Sequence, residues 1–242
     1  MFIMRTGAVG VLLGVLLAGG MQRPAVAVEP LVASPPQVAH RAPVNYALRY
    51  AAYLGGVNIG FAEVKLSVNA STYRISGTAR TIGLWDRFQQ WRARFGADGT
   101  LSTADPTPLR FSSTQTTQSK QREILVTGGV LHVTKNHKQR SPRPALPGMD
   151  MLTALFLLAP CRQHLQVHTG RDGYEFHLVE QVGALSCRYD VRSDEDRDYE
   201  MRIEYERNQQ HHLPRRIDIS GQLSGYLILE DLVVGKQPPL RE

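Results

Sequence analysis

The chain has little of what announces a catalyst or a membrane-spanning protein. Its longest apolar run, Gly7 to Gly20, is about 14 residues, short of the roughly 20 a helix needs to cross a bilayer. There are two cysteines, Cys161 and Cys187, and no C-x-x-C spacing, which argues against a redox-active pair. No cysteine follows the early apolar run, so a lipid-anchored lipoprotein is not expected. A G-x-S-x-G nucleophile elbow, a P-loop and a Rossmann glycine pattern are all missing. The histidines do not gather either. His164 and His168 lie four apart on a predicted strand, which separates them by about 13 Å of strand rise. His211-His212 read as a turn before Leu213-Pro214. Paired carboxylates occur at Asp194, Glu195, Asp196 and Asp198, but Arg192 and Arg197 interleave them as in a solvated hairpin loop. No catalytic residue, metal ligand or cofactor is assigned, and the chain reads as a non-enzyme.

What is present begins with an export pattern. Arg5, the apolar run and the small-residue site Ala25-Val26-Ala27 predict a cleavable signal peptide over residues 1–27. Cleavage would remove Arg5 and Arg23 and no acid, taking 28 cations to 26 against 22 acids, a net +4 where the whole chain has +6. That excess is modest and suits anionic envelope surfaces, with no nucleic-acid partner and no membrane span expected after cleavage. In an oxidising compartment Cys161 and Cys187 most simply form a disulfide. The alternative is a pair of buried free thiols. The densest basic stretch, Lys135 to Arg143, reads as a solvated loop.

Residues 28–43 hold four prolines and no amphipathic period, the composition of a flexible linker. Residues 44–236 form a single β-rich domain, and 237–242 a tail. Period-2 alternation governs the domain. Tyr46, Leu48, Tyr50 and Ala52 face one way, Gly55-Gly56 turns the chain, and a change of phase beside Gly60 predicts a β-bulge. Tyr73, Ile75, Gly77 and Ala79 oppose Arg74, Ser76, Thr78 and Arg80. Tyr199, Met201, Ile203 and Tyr205 oppose Glu200, Arg202, Glu204 and Glu206. Strands with one wet face belong to antiparallel sheets. About a dozen of them cannot stay flat, so a large curled, unclosed, barrel-like sheet is predicted. The strand at 224–234 is apolar on both sides and is expected to be buried on both.

One apolar helix interrupts the pattern, MLTALFLLA after Asp150. Asp150 is placed to cap it, and so apolar a helix must be buried, inside the curl of the sheet. A second short helical or irregular element is predicted at 82–90, with Leu84, Trp85 and Phe88 on one face. There Trp85, Phe88, Trp91 and Phe95 alternate with Arg87, Arg92 and Arg94. These seven residues are the candidate rim of a ligand groove, aromatic for an apolar chain and cationic for an acidic headgroup. Simple core packing of one strand and its turn is the alternative.

Several of these segments together resemble a bacterial periplasmic family, domain-of-unknown-function family 3108. The carriers are the hairpin from Tyr46 to Gly60, a Gly96-x-x-Gly99 turn with Pro106 and Pro108, the helix start Asp150-Met151-Leu152-Thr153, and Leu213-Pro214 before a strand ending at Gly221. Met151 and Thr153 replace the usual proline and serine, leaving the cap intact. The resemblance implies a periplasmic protein distantly similar to the curved, unclosed barrels of lipoprotein-localisation carriers, whose concave sheet is plugged by helices and binds acyl chains. It transfers no functional residue. The function expected is binding of an apolar or amphipathic envelope ligand, such as a lipid, acyl chain or glycolipid. The alternative is a scaffolding module of cell-envelope assembly that works through protein contacts with an envelope protein.

Overall fold

The computed structural model describes residues 43–102, 105–194, 198–221 and 224–236. The predicted signal peptide, all of the predicted linker but Pro43, and the tail lie outside them. The elements are β1 (Val44–Leu54), β2 (Val57–Val68), β3 (Thr72–Thr81), α1 (Gly83–Phe88), β4 (Trp91–Thr100), β5 (Thr107–Thr117), β6 (Gln121–Thr127), β7 (Val130–Lys135), β8 (Lys138–Gln139), β9 (Arg143–Pro144), β10 (Met149–Asp150), α2 (Met151–Leu157), β11 (His164–His168), β12 (Gly173–Val182), β13 (Ser186–Ser193), β14 (Asp198–Asn208), β15 (His211–Ser220) and β16 (Gly225–Lys236).

All sixteen strands belong to one sheet, ordered β10-β11-β12-β13-β14-β15-β16-β1-β2-β3-β4-β5-β6-β7-β8, with β9 on β7. Neighbours are antiparallel apart from a two-residue parallel bridge between β10 and β11. The sheet is mainly β structure curled on itself and not closed by hydrogen bonds, the architecture its sequence predicts. β8, β9 and β10 are two residues long, too short for alternation to reveal.

The curl brings the sheet's ends together through side chains. His168 on β11 meets Phe111 on β5 edge-on, with ring centroids 6.2 Å apart. Gly170, at φ +78°, lets the β11–β12 turn lie so close that a Cβ there would stand 2.6 Å from Ile124 on β6. A side chain would therefore push the turn off the sheet. His168 Nδ1 accepts the Gly170 amide at 3.1 Å, and burial lowers the ring's pKa, keeping it neutral.

Alternation decides the faces. Tyr46, Leu48, Leu66, Ile75, Trp91, Phe111, Val191 and Ile203 all point inward and are buried. Helix α2 lies among them, with Leu152, Thr153, Ala154 and Phe156 buried. Asp150 caps it, accepting the Thr153 amide at 2.9 Å and the Thr153 hydroxyl at 2.6 Å. That hydroxyl also bonds Tyr73 on β3 at 2.8 Å, so one buried chain of polar groups fastens the helix to the sheet. Full burial of an aliphatic or aromatic side chain contributes about 1.5–3 kcal/mol, which makes α2 a large part of the core.

Four local expectations change. The bulge does lie beside Gly60, where the β1 partner jumps from Gly60 to Asn58, but it parts Val57, Ile59 and Phe61, which a period of two would set on one face: Ile59 is buried, Val57 exposed and Phe61 half-buried. Gly96 and Gly99 are not a turn. They lie inside β4, where a Cβ at Gly99 would stand 2.2 Å from the Thr107 carbonyl oxygen and 2.7 Å from the Tyr73 hydroxyl. His211 and His212 open β15, and the turn falls at Gln209, with φ +53°. The last strand is not buried on both faces. A register shift skips Glu230 opposite Arg49 and Tyr50, and beyond it Val233 is 56% exposed.

Candidate functional site

The residues proposed as a single groove are split by the sheet. Trp91 is buried on the inner face, Phe95 is half-buried against the core, and Trp85 packs against it from α1. Arg92 and Arg94 project from the other side of β4. Arg87 and Phe88 are exposed on α1, Phe88 at 80%. The supposed common face of Leu84, Trp85 and Phe88 is divided, because Trp85 turns to the core while Leu84 and Phe88 face solvent. Thr81 sets this arrangement. Its hydroxyl donates to Asp86 at 3.0 Å and accepts the Trp91 amide at 3.1 Å, pinning both ends of the α1 connection.

The outer face nonetheless holds a cleft of about 590 Å³. It runs across β2 to β6 and is lined by Phe61, Glu63, Thr78, Arg80, Arg92, Arg94, Thr114, Thr116 and Gln121, with the backbone at Ala79 and Ala93. Strand register builds it row by row. Phe61 opposes Arg80, Arg80 opposes Arg92, Arg92 opposes Thr116, and Thr116 opposes Gln121. The next row is Glu63, Thr78, Arg94 and Thr114.

Its electrostatics are one-sided. Like charges directly opposite each other on neighbouring strands destabilise a sheet, and Arg80 and Arg92 are such a pair. Among the described residues, no carboxylate makes an ion pair with Arg80, Arg92 or Arg94, while exposed arginines elsewhere do find one, as Arg188 does with Glu180 and Glu200. Arg80 instead lies over the Phe61 ring at 4.5 Å, with Arg49 over the same ring at 4.9 Å. Such contacts contribute about 0.5–1 kcal/mol at exposed sites and hold the guanidinium in place without neutralising it. Three cations and one acid, Glu63, thus line a concave surface with hydroxyls between them.

The cleft ends beside apolar surface. α1 joins the strands carrying Arg80 and Arg92, and the amide of Ile82, just before it, donates to the Ile59 carbonyl of β2 at 3.0 Å. Leu84 (68% exposed), Phe88 and Val57 therefore stand exposed at that end of the sheet. On the inner side of the same end, the opening among Ala52, Ile59, Thr81, Trp91 and Leu227 is only about 20 Å³, room for about one water.

Sequence reasoning found Arg92 and Arg94 but missed Phe61 and Arg80. The signal was available in the alternation of Arg74, Ser76, Thr78 and Arg80, once β3 and β4 are paired about α1. Thr114 and Thr116 of β5 line the cleft as well. The two cysteines form a disulfide, with Cα atoms 5.1 Å apart, tying the segment before β11 across β12 to β13. Lys135 to Arg143 forms the hairpin of β7 and β8 and the start of β9, with Lys138, Gln139 and Arg143 exposed. His164 is paired with His177 on β12 and not with His168.

Fold and cleft together define a curled, unclosed antiparallel β-sheet protein, plugged by a short helix and carrying a cationic groove on its outer face. The chain belongs to the family described as protein of unknown function DUF3108, whose profile matches residues 46–220. Among solved structures, the β-barrel-like protein of domain of unknown function DUF1849 from Brucella abortus is similar in fold, with a TM-score of 0.47 at 9% identity over 82% of this chain and 100% of that one. No curated protein matches the chain.

Proposed function

We propose that this is a non-enzymatic binding protein of the bacterial periplasm, delivered there by a cleaved signal peptide, and that it binds an amphipathic envelope ligand with an anionic headgroup: a lipid, an acyl chain with its acid, or a glycolipid. The observation that carries the reading is the unneutralised pair Arg80 and Arg92, with Arg94, in a cleft beside exposed Leu84 and Phe88. Bidentate guanidinium contacts suit phosphate and carboxylate, the threonine hydroxyls supply neutral donors, and the apolar end suits a hydrocarbon chain. Among the described residues, α2 sets Leu152, Ala154 and Phe156 into the concave side, which supports placing the ligand on the outer face.

Calorimetric titration with lysophosphatidylglycerol, below its micellar concentration, tests this. Binding should be at least tenfold tighter than for zwitterionic lysophosphatidylcholine. Replacing Arg80, Arg92 and Arg94 together by glutamine should remove that preference. Equal affinity for both lipids, or a preference that survives the triple replacement, would overturn the reading. A scaffolding role is the second reading. It is favoured by the start of β11: among the described residues its ladder with β10 runs through Val167 and His168 alone, which leaves the backbone at His164 and Leu165 to offer to a partner strand.

A further inference from the structure

On the other limb of the sheet, away from the cleft, two histidines from different strands converge. His164 on β11 and His177 on β12 are register partners. The Leu178 amide donates to the Gln163 carbonyl at 2.9 Å, and in an antiparallel ladder that bond frames His164 and His177 as a non-hydrogen-bonded pair. Such pairs bring opposed side chains closest, with Cα atoms about 4.5 Å apart. The two imidazoles accordingly lie with centroids 4.8 Å apart and planes tilted by 37°. Glu175, two residues before His177, shares their face, and its carboxylate is 3.7 Å from His177 Nε2. One donor atom from each of the three residues lies within 4.8 Å of the others.

We propose that His164, His177 and Glu175 form a binding site for a divalent late transition metal, with Zn²⁺ as the representative ion. Two imidazoles and one carboxylate are a borderline donor set that suits zinc, copper or nickel over calcium and magnesium, which prefer all-oxygen cages. Bonds of about 2.0–2.1 Å in a tetrahedral site require donors roughly 3.3 Å apart, so the three groups must draw in by about 1.5 Å. They are free to do so. His164 and His177 are exposed, and the His177 and Glu175 side chains keep 47% and 33% of their accessibility. Gln166 Nε2 donates to Glu175 Oε1 at 3.3 Å, the kind of supporting bond that aims a ligating carboxylate. Opposite on β13, Asp190 pairs with His177 and Arg192 with Glu175, so neighbouring charges of both signs nearly offset and the imidazoles dominate affinity. Three protein ligands leave at least one coordination position to water. The metal would staple β11 to β12 at the sheet's free edge.

The test uses the exported chain without an affinity tag. Calorimetry should show one Zn²⁺ per chain and a rise in unfolding temperature on binding. His164→Ala and His177→Ala should each weaken Zn²⁺ at least about tenfold, the lower range for loss of even a supporting group, while His212→Ala leaves it unchanged. Paramagnetic resonance of the unaltered protein with one equivalent of Cu²⁺ should show coupling to two nitrogen nuclei, a readout that needs no variant. Absence of stoichiometric Zn²⁺ binding, affinity retained after both histidine replacements, or a copper signal without nitrogen coupling would overturn the assignment.

Discussion

Trp91 and Arg92 are neighbours in sequence and lie on opposite sides of one sheet. The inner side of β2 to β5 is aromatic and aliphatic, closed by α2 and sealed by a buried hydrogen-bond chain from Asp150 through Thr153 to Tyr73. The outer side of the same strands is open and cationic, its like charges set opposite each other. The difference teaches that core packing and exposed charge are divided here by the side of the strand on which a residue falls. Inner residues are arranged as a fold needs. Outer ones carry a repulsion that the fold alone does not explain and that an anionic ligand would relieve.

Substitutions can break this division from either side. The largest effect should come from the inner face. Phe156→Ala, which removes a buried ring packed edge-on against Tyr50 at 6.4 Å, should cost about 3–5 kcal/mol, read by urea unfolding, with little change in ligand preference if the chain still folds. Replacing both cysteines by alanine should cost about 3 kcal/mol by the loop-entropy estimate, and labelling the unfolded, unreduced protein should find no free thiol. The outer face should behave in the opposite way. Arg92→Gln should shift stability by no more than about 0.5 kcal/mol, or raise it slightly by removing the repulsion, while weakening an anionic amphiphile several-fold.

The smallest effect is one of pH. His168 has a folded pKa lowered by burial, so the unfolded chain takes up its proton first. Its contribution to stability is full above about pH 6.5, the unfolded value, and is lost as pH falls from there through the lower folded value. Stability measured from pH 8 downward should decline below 6.5, and the decline should be shallower in His168→Gln. An unchanged slope would show that the β11–β12 turn is not held by the neutral ring.

Much of this division was legible in the sequence because a strand's period is two. The alternation of Trp91, Ala93 and Phe95 with Arg92 and Arg94 states which residues part company, though reading all seven residues as one groove ignored that parity. The capped helix at Asp150 and the disulfide were also readable, since both rest on residue chemistry. Pairings were not. Arg80 meets Arg92, and His164 meets His177, only once strands are in register, and register depends on bulges such as the one at Glu230 that alternation cannot locate. Gly96 and Gly99 look like a turn in sequence. Gly99 is a glycine because the β5 backbone at Thr107 and the Tyr73 ring approach β4 too closely there for a side chain.

The most direct test of the outer cleft as the proposed binding face is native mass spectrometry of the protein beside a charge-reversed variant, Arg92→Glu with Arg94→Glu, after equal exposure to lysophosphatidylglycerol. The wild-type protein should carry a one-to-one lipid adduct that the variant lacks, with the two unfolding midpoints alike. An adduct retained on the variant would contradict the assignment and return the ligand to the inner side of the sheet.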